Sequence, residues 1–356
     1  MKPFNKKFTD INEFINNKRT PNFENLLSVL RREKPSRPTL FEFFLNEELY
    51  NRLTCHIKYD AHDELTPLKR TIDAFRITGY DYVTMHGTEL NFKTNRHQEK
   101  QQASVSMNGG AIISDRKTFE SYEWPDPDNC DYSRLEKLAS YLPNGMKIIV
   151  YGPGGVLENV TSLVGYENLC YMIIDDPELV QDIFDAVGSI FIRYYEICSK
   201  YESVGALISN DDWGFNTQTM LSVEDMRKYV IPWHKKIAET IHLSKKPAIL
   251  HSCGKLDSVI DDIIDGIKYD AKHSYEDKIR SVENAYEKYG ERIATLGGLD
   301  VDFVCRSTPE EVYLRAAAML EKASVKGGYA LGSGNSIPYY VPQENYFAMI
   351  AAAVLE

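Results

Sequence analysis

The sequence predicts an α/β protein: one (β/α)8 barrel domain over residues 1–356, with an N-terminal extension at 1–37 and an insertion at 86–129 after the second strand. Three observations carry this expectation. Eight short apolar runs read as strands, and helical stretches separate most of them, the pattern of a parallel sheet. Eight such units favour a closed barrel over an open sheet. The polar and metal-capable residues gather where those strands end, at the rim on which barrels carry their chemistry, whereas the strand beginnings offer Lys147, Pro247 and Glu291-Arg292.

The extension is polar and rich in Asn and Lys, with a short helix over 23–32 ahead of Pro35 and Pro38. The first strand is read at 39–43. Residues 67–77 form a helix with Thr66 as its cap and Pro67 at its first position, and the second strand follows at 80–84. The insertion then carries a polar run at 98–102, a hairpin signal at Asn108-Gly109-Gly110, and Pro125-Asp126-Pro127. A connection this long reads as a lid over a site.

The third strand, 147–151, ends in Gly152-Pro153-Gly154-Gly155. A helix over 176–201 places Leu179, Ile183, Phe184, Val187 and Ile190 on one face. The fourth strand, 206–209, ends in Asn210-Asp211-Asp212-Trp213. Ser222 opens a helix that Pro232 interrupts or restarts, running to about residue 244. Strand 248–251 is followed by helix 256–265, strand 268–273 by helix 282–289, strand 293–297 by helix 309–322, and strand 328–332 by a last helix from 342.

Composition excludes several classes of function. No apolar run approaches the roughly 20 residues that cross a bilayer, and the start of the chain lacks the apolar core of a signal peptide. A net charge of −11 argues against nucleic acid or an anionic membrane as partner. Six scattered cysteines suggest no disulfide framework, and with no export signal they point to reduced thiols in a cytoplasm.

The chain is organised around Ala248-Ile249-Leu250-His251-Ser252-Cys253-Gly254-Lys255. Residues i and i+2 of an extended segment project to the same side, so His251 and Cys253 can aim into one pocket, and both are good zinc ligands. The competing reading is a buried cysteine beside a capped histidine. Asp211 and Asp212 read equally as acid/base groups or as caps on backbone N–H groups. The 152–155 turn reads as a plain turn or a phosphate cradle, and His273 as a rim residue or a ligand. His234 and His242, on a helix among Lys235, Lys236 and Lys245, are expected to be exposed. Cys170 and Cys198 are expected in the core, and Cys305 in a structural place.

Several stretches, in order, resemble the uroporphyrinogen decarboxylase superfamily: Gly152-Pro153, Asn210-Asp211-Asp212-Trp213-Gly214, Ser222 through Pro232, His251-Ser252-Cys253-Gly254, Gly297 through Asp300, Ser307-Thr308-Pro309-Glu310-Glu311-Val312, and Pro342-Gln343-Glu344-Asn345. The closest resemblance is to the branch of zinc-dependent, corrinoid-linked methyltransferases. It implies a (β/α)8 barrel and zinc held by His251 and Cys253. It also implies transfer of a methyl group between a corrinoid carried by a partner protein and a thiol or methylated small molecule.

A third ligand of that branch falls at Asn335, where asparagine departs from the pattern; Asp211, Asp212, His273 or Glu344 would then complete the set. Asp211, Asp212 and His273 are the candidate catalytic residues, and Gly152, Asn210, Asn335 and Glu344 the candidate substrate- or cofactor-binding residues. The decarboxylase branch fits less well, because the region that should supply cations for its substrate's carboxylates carries Glu42 and no arginine. Two alternatives stand beside methyl transfer: a metal-free decarboxylase or lyase, with an aspartate and His251 moving protons, and a barrel that binds a corrinoid or tetrapyrrole without chemistry.

Overall fold

The computed structural model describes residues 3–94 and 111–355. Among the described residues, seven parallel strands form one sheet in chain order, β1 Tyr82–His86, β2 Lys147–Tyr151, β3 Val204–Asn210, β4 Ala248–His251, β5 Ala271–His273, β6 Ala294–Leu296 and β7 Tyr329–Ala330. Each is joined to the next by helical segments, as parallel neighbours require. β2 and β4 read as nearly unbroken apolar runs because both of their faces are covered, one by the interior and one by helices.

The first expected strand differs from its expectation. Residues 39–43 contribute a single parallel bridge, Leu40 to Leu331, with Phe41 N donating to Leu331 O at 2.7 Å and Leu331 N to Thr39 O at 2.8 Å. Toward β1 the segment has side-chain bonds in place of a backbone ladder. The Tyr82 hydroxyl accepts from Glu42 N and donates to Glu42 O, and Thr84 Oγ1 donates to Phe43 O. The hydroxyl of Tyr82 thus occupies the position that a partner strand's backbone would fill.

Other boundaries moved for local reasons. The helix expected from 67 starts at Thr66, and the Thr66 hydroxyl bonds back to Asp60 O instead of capping. Two helices, Val156–Val164 and Tyr166–Asp175, occupy residues between the 152–155 turn and the helix expected from 176, where no element was expected. Pro232 does restart a helix: a π turn at Met226–Val230 absorbs the missing hydrogen bond, and Ile231–Leu243 follows. The expected helix 256–265 is a 3-10 turn, Asp257–Val259, and a π turn, Asp262–Ile267. The hairpin signal at 108–110 lies outside the described residues. Among the described residues, no helix is long and apolar enough to cross a membrane.

Candidate metal and active site

β3 and β4 deliver the site. Their register sets Asn210 beside His251, and Asp211 N continues the pairing by donating to His251 O at 2.9 Å. The two chains therefore leave the sheet together, and Asp212 Oδ1 accepts from the Cys253 N–H at 2.9 Å. Gly254 then turns the chain away with φ +86°, where a Cβ would sit 2.1 Å from the Gly214 carbonyl oxygen, so glycine is required. The result brings a carboxylate oxygen of Asp212, a ring nitrogen of His251 and the sulfur of Cys253 within 4.8 Å of one another. Donors around one zinc lie about 3.3–3.8 Å apart, given bond lengths near 2.0–2.3 Å. Closure on such an ion asks for shifts of about 1 Å.

The hydrogen bonds behind His251 decide which nitrogen it presents. His273 is wholly buried, and its Nε2 faces the Ser333 carbonyl at 3.3 Å. A carbonyl only accepts, so His273 Nε2 carries the proton. Burial holds both imidazoles neutral, His251 at about 4 and His273 well below its ordinary value. His273 Nδ1 is then an acceptor, and His251 Nδ1, 2.7 Å away, must donate to it. That leaves His251 Nε2 as a lone pair, on the side of Cys253 Sγ at 4.0 Å. Metal-bound histidines are commonly fixed in this way through their other nitrogen.

Burial pushes the Cys253 thiol up to about 12, and the Asp212 charge adds to the shift. The sulfur therefore keeps its proton at neutral pH unless a cation offsets the cost. Its neighbours are suited to a thiolate: Asn335 Nδ2 donates to it at 3.3 Å, and the Ser274 hydroxyl lies 3.3 Å away. Ser274 reaches it from an unusual backbone, with φ +83°. The buried Lys272 ammonium holds that conformation, donating to Ser274 O at 2.6 Å and Ser252 O at 3.3 Å.

The remaining expected site residues divide into three groups. Asp211 faces away from the metal group: Leu157 N, Glu158 N and His234 Nε2 approach its oxygens, each at 2.9 Å. It caps the helix Val156–Val164 from a neighbouring strand. Asn210 Oδ1 accepts from Gly152 N at 3.0 Å, and Gly155 N goes to Glu158, so amides of this turn are spent within the protein. Glu344 is exposed in the first turn of Gln343–Val354, outside the metal group. Asp212, His251, Cys253, Asn335 and, one layer behind, His273 are the residues brought together.

His234 contradicts its expectation. It is fully buried, between Asp211 and the Tyr269 hydroxyl at 2.7 Å. The neighbouring lysines misled, while the helical spacing Ile231, His234, Ile237, Ala238, Ile241 places it on the apolar stripe. His242 is about one-third exposed, with Nε2 2.8 Å from Asp270 Oδ2. Cys198 is buried; Cys170 and Cys305 are partly exposed. Sequence reading also passed over Glu158, which burial and the charges of Asp211 and Asp212 raise to about 8, and Ser274, one residue past His273. A cavity of about 560 Å³, with Cys253, Tyr275, Asp300, Asn335 and Tyr340 on its walls, connects the sulfur to solvent.

Comparison with known proteins bears on the family and the fold. The chain is 26% identical over 195 residues to a methylated-thiol–coenzyme M methyltransferase of Methanosarcina mazei, covering 53% of this chain and 48% of that protein. The chain thus matches about half the length of that relative. A solved methyltransferase from Methanosarcina mazei superposes with a TM-score of 0.67, covering 92% of this chain and 97% of the other; at 16% identity the likeness is one of fold. The uroporphyrinogen decarboxylase (URO-D) family pattern matches residues 113–354, most of the chain and all of the strands from β2 onward, and the protein belongs to that family.

Proposed function

We propose that this chain is a zinc-dependent methyltransferase moving a methyl group between a corrinoid held by a partner protein and a thiol or methylated small molecule. One observation carries the reading: Asp212, His251 and Cys253 bring an oxygen, a nitrogen and a sulfur donor within 4.8 Å of one another at the sheet's C-terminal edge. The donor set suits zinc, and three side chains leave a fourth position open, as catalytic sites do. With Cys253 as thiolate and Asp212 ionised, the two negative charges balance a dication. Bound zinc would supply the charge that holds an incoming thiol as thiolate at neutral pH.

The protein's own part is orientation. His273 fixes the His251 lone pair, the Cys253 N–H fixes the Asp212 carboxylate, and Asn335 and Ser274 steady the sulfur by hydrogen bonding. Asn335 occupies the place of the third ligand implied by the resemblance, and Asp212 takes over that duty. In this reading residues 39–43 act as the eighth stave, closing the ring between β7 and β1. The methyl donor enters by the cavity at Cys253, and free cysteines fit a reducing compartment.

Zinc content of the purified wild type, His251→Ala and Cys253→Ser tests the assignment, alongside demethylation of methylcobalamin by added thiols. About one zinc per wild-type chain, lost from both variants, is expected; equal zinc in all three overturns it.

A further inference from the structure

Glu42 is wholly buried, on the segment 39–43. Burial pushes its carboxyl up to about 8, so its placement here works against the fold. Both of its oxygens are turned on one residue far along the chain. Oε1 accepts from the Ser333 hydroxyl, and Oε2 accepts from the Ser333 N–H at 3.1 Å. Its charge acts on the buried hydroxyls of Tyr80, Tyr82 and Tyr346, and none of these offsets the cost of burying it.

Ser333 has two arms that reach the site. Its carbonyl accepts from His273 Nε2 at 3.3 Å and from Gly298 N at 2.7 Å, and His273 in turn orients His251. Its hydroxyl accepts from Asn335 N at 3.4 Å, and the Asn335 side chain donates to Cys253 Sγ. There is little slack along the first arm: a Cβ on Gly297 would stand 2.3 Å from the Ser333 carbonyl oxygen and 2.9 Å from His273 Nε2.

We infer that Glu42 is a positioning residue: by gripping Ser333 from the interior, it sets the tautomer of His251 and the contact of Asn335 with Cys253 together. One buried carboxyl thereby preorganises two donors it does not touch. The inference rests on the reading of His251 and Cys253 as ligands for its consequence, though not for its geometry.

The test uses the full-length chain without metal. Long-range proton–nitrogen spectra of the histidine rings are recorded for wild type, Glu42→Leu, Glu42→Gln and Ser333→Ala, followed by a zinc competition titration. Wild type should show His251 protonated on Nδ1 and His273 on Nε2. Glu42→Leu should give mixed tautomers for both rings and a zinc Kd weakened by about 10- to 100-fold. Glu42→Gln can accept from the Ser333 N–H and donate to its hydroxyl, and should restore both readouts. If Glu42→Leu does not fold, Ser333→Ala, which removes one prong and leaves the carboxyl in place, should shift the tautomers in the same direction. Wild-type tautomers in the folded member of that pair overturn the inference. Tautomers that shift in a protein that binds no zinc sustain the positioning role and sink the ligand assignment instead.

Discussion

Asp211 and Asp212 are adjacent in sequence but face opposite structures. Asp211 receives two backbone N–H groups and the ring of His234 in a fully buried setting. Asp212 receives the Cys253 N–H and turns its carboxylate toward the metal group. Their alanine variants should therefore fail differently. Asp211→Ala leaves three buried donors unpaired and should lower stability by about 3 kcal/mol, read in urea melts. Asp212→Ala should leave the urea midpoint nearly unchanged and remove most of the bound zinc. Equal loss of zinc in both would erase the distinction. The sequence analysis read the two alike, although consecutive residues at a strand end diverge; which of them faced the site depended on the helix Val156–Val164, on His234 and on the Cys253 N–H.

At the level of elements, the His242–Asp270 contact ties the helix Ile231–Leu243 to the loop before β5, and Asp270 also accepts from Ala248 N at 2.8 Å. The Asp270 bond raises the imidazole above its ordinary 6.5. A raised value in the folded state means that the pair's contribution is present in full below pH 6.5 and lost as pH climbs through the higher folded value. Both partners are about one-third exposed, so solvent screening holds the effect to about 1 kcal/mol or less. Urea midpoints of wild type should fall between about pH 6 and pH 8, and His242→Gln should flatten that part of the slope. A slope unchanged by the substitution would remove the linkage. The long helix Pro177–Ser199 and the strands β2 and β4 were legible from apolar spacing alone. The 39–43 segment was legible as apolar and extended but not as a lone bridge, because Tyr82 and Thr84 replace its ladder with hydroxyl bonds from another element.

For the whole molecule, a metal that binds the folded chain and not the unfolded one adds to stability by mass action. Zinc at a hundredfold excess over its Kd should raise the unfolding free energy by about 2.7 kcal/mol, and a chelator should remove that gain. Cys253→Ser should show no such zinc dependence, which thermal melts can check. The net charge of −11 leaves the description of the site untouched, because the charges that matter there are local. The sequence by itself determined the alternation of strands and helices, the parallel order that helical connections impose, and the pairing of His251 with Cys253, because each rests on spacing within short segments or on their succession along the chain. Tertiary structure alone decided that Asp212 joins them, that Asn335 touches the sulfur without replacing it, and that His234 is buried. It also set the His251 lone pair through His273 and Ser333. Those outcomes depend on distances between segments far apart in the chain, and such distances exist only once the strands are laid side by side.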